Sequence, residues 1–315
     1  MKSPVLQISV VLCTYNRSHL LEGILQDLAN QTLAPNQYEI IVVNNNSTDD
    51  TQPVAEAFAQ SRPHWQVCFE AKQGLSHARN CGLTAAQGHY VAYVDDDCRV
   101  PADWLTVAHR IITETAPSAF GGPYYAIYNT PKPDWYKDAY GSHEQGRQPR
   151  PLLGEEYLDG GNFFCRRDLV AALGGFNPEL GLQGDKRCFG EEVELVRKIR
   201  AKHPDAVVFY HPDLKVNHLV APLKMDLGFR IRESFADGRS WPTTFATADP
   251  LPQHLPVLVG KGLARAGLLA VESALGLVRQ GSTEYPYWQN YFYEKCLKHV
   301  SGLGMTYELL TRLGR

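Results

Sequence analysis

The chain has 315 residues, of which 44% are hydrophobic and 21% charged, and its formal net charge is −3. This composition can bury a sizeable core, which argues against a disordered or low-complexity protein. The near-neutral charge provides no basic field for nucleic-acid phosphates, so no nucleic-acid partner is expected. The seven cysteines are scattered without a CxxC or Cys/His cluster, which predicts free thiols and a cytoplasmic location.

Short β-branched runs alternate with helical patterns over the first hundred residues. Strands are predicted at 8–13, 39–43, 65–69 and 90–94. Helices are predicted over 20–28, from about 51 to 60, and over 74–87. This alternation predicts an α/β fold with a largely parallel sheet. Ligands of such sheets bind beyond the carboxyl ends of the strands, which directs attention to the residues just after each strand.

The second half of the chain does not continue the regular alternation of strands and helices. Residues 121–160 are rich in Gly, Pro and Tyr and predict irregular structure. Helices are predicted at 167–173 and 191–201, and short strands at 206–210 and 214–218.

An apolar stretch lies at 257–278, but Lys261, Arg265 and Glu272 interrupt it, so it does not predict a spanning helix. These charges and Arg279 fall on one helical stripe. The pattern predicts a helix packed on the domain with its charged edge in water. A helix lying in a membrane interface, with peripheral contact through 257–279, is the alternative.

Three adjacent carboxylates, Asp95, Asp96 and Asp97, directly follow the predicted strand at 90–94. Adjacent carboxylates repel one another, and a bound cation is the usual way to make such a cluster favourable in a cleft. Oxygen ligands at a strand end suit Mg²⁺ or Mn²⁺ shared with substrate phosphates. A solvated acidic turn is the alternative.

A second acidic group, Glu191, Glu192 and Glu194, begins a predicted helix after a glycine-bearing loop. Acidic residues are favoured in a first helical turn by the helix dipole alone. A carboxylate at this position can also act as a general base. His218, at the end of a predicted strand, is of interest only if the fold brings it to the aspartates.

Five segments, in order, resemble the family 2 glycosyltransferases of the GT-A fold, over about residues 6–220. They are ISVVLCTYNR, YEIIVVNNNSTDDT, GLSHARNCGLTAAQGHYVAYVDDD, GGNFFCRRDLVAALGGFNPEL and FGEEVEL. The resemblance implies a Rossmann-like, mostly parallel central sheet flanked by helices. It also implies an inverting, metal-dependent transfer of a sugar, of the hexosyltransferase type, from a nucleotide diphosphate sugar to an acceptor hydroxyl.

The resemblance assigns site residues by position. One group would bind the nucleotide: Thr14, Tyr15, Asn16, Arg17, Asn44, Arg79, Asp95 and Asp96. A second group would hold the Mn²⁺ or Mg²⁺ ion: Asp97, Asp95 and His218. A third group would line the sugar and acceptor pocket: Gly160, Gly161 and Asn162. Glu192 aligns with the catalytic Asp of the family, and its placement relative to Glu191 is open.

The chain departs from the family at three of these positions. Asn44 replaces an aspartate that hydrogen-bonds the base, which reverses part of the donor and acceptor pattern. Uridine is the expected base. Cys13 replaces a frequent proline, and Glu192 is one methylene longer than the family's Asp.

The resemblance also divides the chain. Residues 1–240 would form the catalytic domain, with a nucleotide-binding half at about 1–115 and an acceptor half at about 116–240. Residues 241–315 would form a helical C-terminal extension. The acceptor would be a saccharide, a lipid-linked sugar or a protein, in polysaccharide or glycoconjugate biosynthesis. The oligomeric state is open. A non-catalytic nucleotide-sugar or carbohydrate-binding protein is the alternative function, whereas a dinucleotide oxidoreductase lacks its GxGxxG turn.

Overall fold

The computed structural model describes residues 6–184, 187–245 and 254–313. The chain divides into two compact units. Unit 1 consists of Met1–Ile127, Gly141–Pro178 and Glu191–Leu219. Unit 2 consists of Tyr128–Tyr140, Glu179–Gly190 and Val220–Arg315. The division predicted at residue 240 stays a prediction.

Unit 1 contains a large, mostly parallel sheet. Its strands are β1 (Ile8–Thr14), β2 (Tyr38–Asn44), β3 (Trp65–Phe69), β4 (Tyr90–Asp95), β6 (Ala119–Gly121), β8 (Arg150–Pro151), β9 (Phe163–Arg166) and β10 (Val208–Tyr210). They lie in the order β3-β2-β1-β4-β9-β6-β10-β8. The first four strands pair in parallel, so the residues after β1, β2 and β4 emerge at the same edge.

Helices cover both faces of this sheet. They are α1 (Ser18–Ala29), α2 (Thr51–Ala59), α3 (Leu75–Ala85), α4 (Trp104–Thr115), α5 (Arg167–Ala172) and α6 (Glu191–Lys202). Successive strand residues point to opposite faces, so Val10 and Ile40 join one core cluster, whereas Val11 and Ile41 join the other. Both faces are thus buried, which explains why β1 and β2 are continuous apolar runs.

A second, smaller sheet lies beside the ends of the large one. Its strands are β5 (Cys98–Arg99), β7 (Tyr124–Ile127) and β11 (Val216–Leu219), with β11 in the centre. His218 pairs with Cys98 across β11 and β5, and the Leu219 N–H donates to the Asp97 carbonyl at 2.8 Å. This sheet therefore holds β11 against the aspartates at the end of β4.

The predicted fold class is confirmed, and the four strands of its parallel half are observed within a residue of their predicted bounds. Helix α4 was not predicted, although Trp104, Leu105, Ala108 and Ile111 recur at helical spacing and are buried. Residues 121–160, predicted to be irregular, include β7 and β8. These two strands have four and two residues, too short for a periodic signal.

Unit 2 is largely helical. Its helices are α7 (Leu227–Thr244), α8 (Leu255–Arg279), α9 (Trp288–Tyr291) and α10 (Leu297–Leu313), and a π-helical turn at Phe292–Cys296 joins α9 to α10. A core of Tyr285, Tyr291, Phe292, Cys296 and Val300 lies among them. In the part of the chain that the structure describes, none of the helices combines the length and apolar character needed to cross a membrane.

The prediction for the charged stripe of α8 holds for two of its four charges: Lys261 and Arg279 are exposed, whereas Arg265 and Glu272 are only half-buried and turn toward neighbouring helices. Arg265 donates to the Gly302 carbonyl of α10, and Glu272 accepts a 2.5 Å hydrogen bond from the Tyr291 hydroxyl, so both charges face the neighbouring helices. The apolar side chains Leu263 and Val271 are exposed instead. The helical period identified the two faces of α8, but the packing of α9 and α10 decided which one is buried.

Candidate active site

The turns that follow β1 and β2 are joined by hydrogen bonds. Asn16, at a φ of 51°, accepts a 2.7 Å bond from the Thr48 N–H and donates its own N–H to the Ser47 hydroxyl. Asp49 accepts from the Ser18 N–H at 3.0 Å and from the Thr51 hydroxyl. The two turns therefore form one surface, and Tyr15, whose side chain is exposed, lies on it.

The three aspartates at the end of β4 differ in their burial and in their hydrogen-bond partners. Asp96 is buried and accepts hydrogen bonds from the Thr14 hydroxyl at 2.9 Å and from the Arg17 guanidinium at 2.7 Å. Burial raises the pKa of Asp96 to about 6, although the Arg17 charge opposes this rise. The same Arg17 nitrogen lies 3.2 Å from Asp97 Oδ2. Asp96 thus anchors Arg17 in this cluster, whereas Asp95 is the most exposed of the three acids.

The aspartate cluster also contains residues from the smaller sheet. His218 Nε2 lies 3.6 Å from Asp97 Oδ2, and its ring stacks on Tyr124 with centroids 4.6 Å apart. Single ligand atoms of Asp95, Asp97 and Cys98 all lie within 4.8 Å of one another. Burial raises the pKa of the Cys98 thiol well above its usual value, which disfavours the thiolate as a ligand and leaves the carboxylates of Asp95 and Asp97 as the better ligands. Their oxygens fit a hard divalent cation such as Mg²⁺ or Mn²⁺.

Arg79 of α3 connects the aspartates with the start of α6. Its guanidinium is buried and donates to Glu191 Oε1 at 2.9 Å. It also lies 3.9 Å from Glu192 Oε2 and 3.7 Å from Asp95 Oδ1. Helix α3 can hold Arg79 at this depth because it packs closely on β1. A Cβ on Gly82 would lie 2.3 Å from a methyl carbon of Val11.

Glu191 and Glu192 are adjacent, but their environments differ. Among the described residues, Glu192 Oε2 accepts no hydrogen bond, although it is buried and near Arg79. Removal from water and the neighbouring Glu191 charge raise the pKa of Glu192, against the attraction of Arg79. Glu192 therefore has an available oxygen and an increased proton affinity, whereas Glu191 is held by the guanidinium.

The predicted pocket residues Gly160, Gly161 and Asn162 lie against the same groups. A Cβ on Gly160 would come within 2.6 Å of Arg79, and one on Gly161 within 2.7 Å of Asp95 Oδ2. The two glycines therefore leave room for these charged groups. Asn162 is fully buried, with its amide bonded to Trp104 Nε1 and to the Leu214 carbonyl, so its contact with a sugar stays a prediction.

Asn44 is also buried within its own turn. Its amide nitrogen donates to Gln52 Oε1 at 2.7 Å, and its oxygen accepts from the Ser47 N–H at 2.9 Å. These bonds shape the turn after β2. The role predicted for Asn44, contact with the base, stays a prediction.

Several residues of the cluster were not predicted from the sequence. Cys98 and Tyr124 contribute through the smaller sheet, and Ser47 and Asp49 hold the turn after β1. A signal was available for Cys98, which directly follows the aspartates. Tyr124 belongs to the Tyr-rich segment 121–160, but its place beside His218 could not be predicted, because its strand pairs with residues more than ninety positions away.

The arrangement agrees with the comparisons to known proteins. Residues 9–174, more than half of the chain, match the family profile described as Glycosyl transferase family 2. The chain belongs to glycosyl transferase family 2.

Two relatives in this family come from Haloferax volcanii. The chain is 27% identical over 179 residues to the glycosyltransferase AglE, covering 56% of this chain and 58% of AglE. It is 24% identical over 247 residues to glucosyl-dolichyl phosphate glucuronosyltransferase, covering 75% of this chain and 76% of that protein. The chain thus spans less than two thirds of AglE.

The fold of this family 2 member also resembles solved structures. One is the mannosyltransferase PcManGT from Pyrobaculum calidifontis, solved in complex with GDP-Man and Mn²⁺. The two align with a TM-score of 0.66 and 19% identity, over 97% of this chain and 88% of that chain. At this identity the likeness shows a shared fold.

Proposed function

We propose that this family 2 member moves a sugar from a nucleotide diphosphate sugar to an acceptor hydroxyl with inversion, and that Glu192 is its general base. The observation that carries the proposal is the difference between the two glutamates at the start of α6. Arg79 holds Glu191 at 2.9 Å, whereas Glu192 keeps an oxygen without a hydrogen bond among the described residues. Arg79 also lies beside Asp95, so the base and the aspartate cluster share one buried cation.

Asp97 and Asp95 would hold a divalent cation, with His218 beside them. Their carboxylate oxygens lie close enough together to share one ion, as measured above. Such an ion would neutralise the charge that grows on the leaving diphosphate. A solved relative in fold binds GDP-Man and Mn²⁺, which supports both the donor class and the ion.

The residues of the chain would then act in a simple order. The joined turns after β1 and β2, with Tyr15 and Arg17, would bind the nucleotide. Asp95 and Gly161 would lie beside its sugar end. Glu192 would take the proton from the acceptor hydroxyl as that oxygen attacks the anomeric carbon, so that the bond to the diphosphate breaks on the opposite face.

The test of the base is a comparison of Glu192→Gln with Glu191→Gln. Glu192→Gln is expected to lower kcat by about 10²–10⁴-fold, because a positioned base contributes that much, while donor affinity stays within about twofold. Glu191→Gln keeps the available oxygen of Glu192 and should retain more activity. Full transferase activity in Glu192→Gln would rule out this base.

The donor is tested by titrating the protein with nucleoside diphosphates, with and without Mn²⁺. Uridine is the proposed base, so UDP should bind more tightly than GDP, and Mn²⁺ should strengthen the binding. Asp97→Asn should remove the effect of Mn²⁺. Binding that is unaffected by the ion would argue against the proposed cation site.

The proposed acceptors are saccharides, lipid-linked sugars and proteins, and the name of the glucuronosyltransferase relative favours testing lipid-linked sugars first. The seven free cysteines support a reducing compartment, the cytoplasm, for the reaction. A binding protein without catalysis is the alternative. Product formation from a nucleotide-sugar panel separates the two.

A further inference from the structure

Helix α8 exposes an apolar face along its whole length. The inward positions repeat at helical spacing and are Leu258, Gly262, Arg265, Leu269, Glu272, Ser273 and Gly276. Every other residue of Leu255–Arg279 is exposed. The helix has 25 residues, which corresponds to a length of about 37 Å.

The exposed face is unusually apolar. Leu263 is 70% exposed, Val271 58% and Val278 82%. At about 100° per residue, the exposed leucines, valines, alanines and glycines cover roughly half of the helix circumference. Monomeric soluble proteins rarely leave apolar patches of this extent uncovered, and such patches mark interaction surfaces.

The charges on α8 are distributed unevenly around it. Its one acid, Glu272, faces inward and accepts the bond from Tyr291. Its two exposed charges, Lys261 and Arg279, are both basic and lie eighteen residues apart, which is five full turns. They therefore share one edge of the apolar face, about 27 Å apart along the helix.

We propose that the exposed face of α8 lies in the interface of an anionic phospholipid bilayer, with Lys261 and Arg279 at the headgroups. An apolar face with basic residues at its border is typical of helices that lie in the membrane plane. Basic side chains can extend along the apolar surface and keep their charges in the headgroup layer.

A second copy of the chain is the competing occupant, and the shape of the face argues against it. Two helices that pair use a narrow seam, about two positions in seven, with charges on both flanks that choose the partner. The face of α8 is much wider than such a seam, and its exposed charges have one sign. Anionic lipid headgroups complement that sign, whereas the same edge of a second copy repels it.

The test is vesicle flotation of the full chain. Vesicles of phosphatidylcholine containing about a third phosphatidylglycerol are compared with pure phosphatidylcholine vesicles. Leu263→Glu combined with Val271→Glu is expected to lower the bound fraction at least about tenfold, because it places two charges in the apolar face. Leu153→Glu is the matched control, because Leu153 is 72% exposed in unit 1 and should have no effect.

The contribution of the basic side chains to the binding of anionic vesicles is tested separately. Lys261→Glu should weaken binding to the anionic vesicles by at least about fivefold, the effect of one basic residue near a charged surface. It should leave binding to pure phosphatidylcholine unchanged. All four substituted residues are exposed, so circular dichroism and melting temperature should match the parent chain.

Two results would overturn the proposal. One is that the parent chain and the double variant float equally, whether both bind or neither does. The other is that the parent chain sediments as a dimer, that the double variant is a monomer, and that neither binds vesicles, which would assign the face to a second copy. The assay needs no donor or acceptor sugar, so its result is independent of the proposed reaction.

Discussion

Arg79 is the cation that three carboxylates of the candidate site share. It lies within 4 Å of Asp95, Glu191 and Glu192 and stacks over the rings of Tyr93 and Phe176. A buried charge without its partner is costly, because neither water nor another ion replaces the lost interaction. The positions of both glutamates therefore depend on Arg79, although Arg79 takes no part in the proposed proton transfer.

Substitution of Arg79 should accordingly affect stability as well as activity. Arg79→Met is expected to lower the free energy of unfolding by about 3–5 kcal/mol, since it leaves Glu191 buried and uncompensated. Urea denaturation measures this loss. Arg79→Met combined with Glu191→Gln should recover part of it, as coupled sites do not add. A single Arg79→Met variant as stable as the parent would show that the ion pair contributes nothing.

The proton affinity of Glu192 makes a prediction about pH. The base must be ionised, and its raised pKa means that activity is lost as pH falls through a range well above 4.5, the usual value for Glu. Glu191→Gln removes the negative charge that repels the Glu192 carboxylate. It also removes the competing ion pair of Arg79, whose positive charge then acts on Glu192 alone. Both effects lower the pKa of Glu192. The acid limb of the kcat/KM profile should therefore move to lower pH. An unchanged profile would contradict the assignment.

At the scale of elements, one side chain holds the starts of two helices together. Asp49 accepts from the Ser18 N–H, which begins α1, and from the Thr51 N–H and hydroxyl, which begin α2. Removal from water is the largest single influence and raises the pKa of Asp49, but the hydrogen bonds from Thr51 and Ser18 together outweigh it and lower the pKa to about 2. Asp49 thus fixes the turns proposed to bind the nucleotide at the points where they lead into α1 and α2.

Asp49→Ala is expected to lower the free energy of unfolding by about 1–2 kcal/mol, as loss of a helix cap does, and to weaken nucleotide binding. Asp50→Ala is the matched control, because Asp50 is exposed and its side chain makes no capping bond. The stabilisation by Asp49 should be complete above pH 3.8 and lost as pH falls through about 2. Equal effects of the two substitutions would show that the bonds of Asp49 are unimportant.

The elements also differ in how far the sequence predicted them. Strands β1 to β4 are five to seven residues long and have strong apolar patterns, so their bounds could be read directly. Strands β5 and β7 have two and four residues, and both pair with β11, which lies more than ninety positions away in sequence. No local pattern specifies such partners. The smaller sheet, which brings His218 to Asp97, was therefore not predicted.

At the scale of the whole molecule, unit 2 joins helices on both sides of residue 240. Ile231 and Phe235 of α7 pack against the core that α9 and α10 build. The backbones of α7 and α10 approach closely, since a Cβ on Gly238 would lie 1.7 Å from the Ser301 carbonyl oxygen. Residue 240 itself lies within α7, so a cut there uncovers apolar surface.

A fragment of residues 1–240 is accordingly expected to be less soluble than the full chain and to bind a hydrophobic dye. Each large apolar side chain that loses its cover costs about 1.5–3 kcal/mol. Soluble yield and dye fluorescence measure the effect, with the full chain as reference. A monodisperse fragment that unfolds cooperatively would support the domain boundary predicted from the sequence.

The sequence alone determined the alternating strands and helices of unit 1, and it located Asp95 to Asp97 and Glu191 to Glu192 at the ends of elements. These are local properties, because the periodicity of apolar residues and the residues that form turns can be read from short stretches of sequence. Only the tertiary structure decided that Arg79 reaches a glutamate 112 positions away, so that Glu191 is bound and Glu192 is available.

The same division applies to the helix Leu255–Arg279. Its period separated a charged stripe from an apolar face, but a helix has no inside until its neighbours pack against it. Tyr291 and Gly302 bind two of the charged side chains, Glu272 and Arg265, so that the apolar face is left outward with Lys261 and Arg279 at its edge. Burial is a property of the pair of surfaces in contact, and for this reason the sequence of one surface could not determine it.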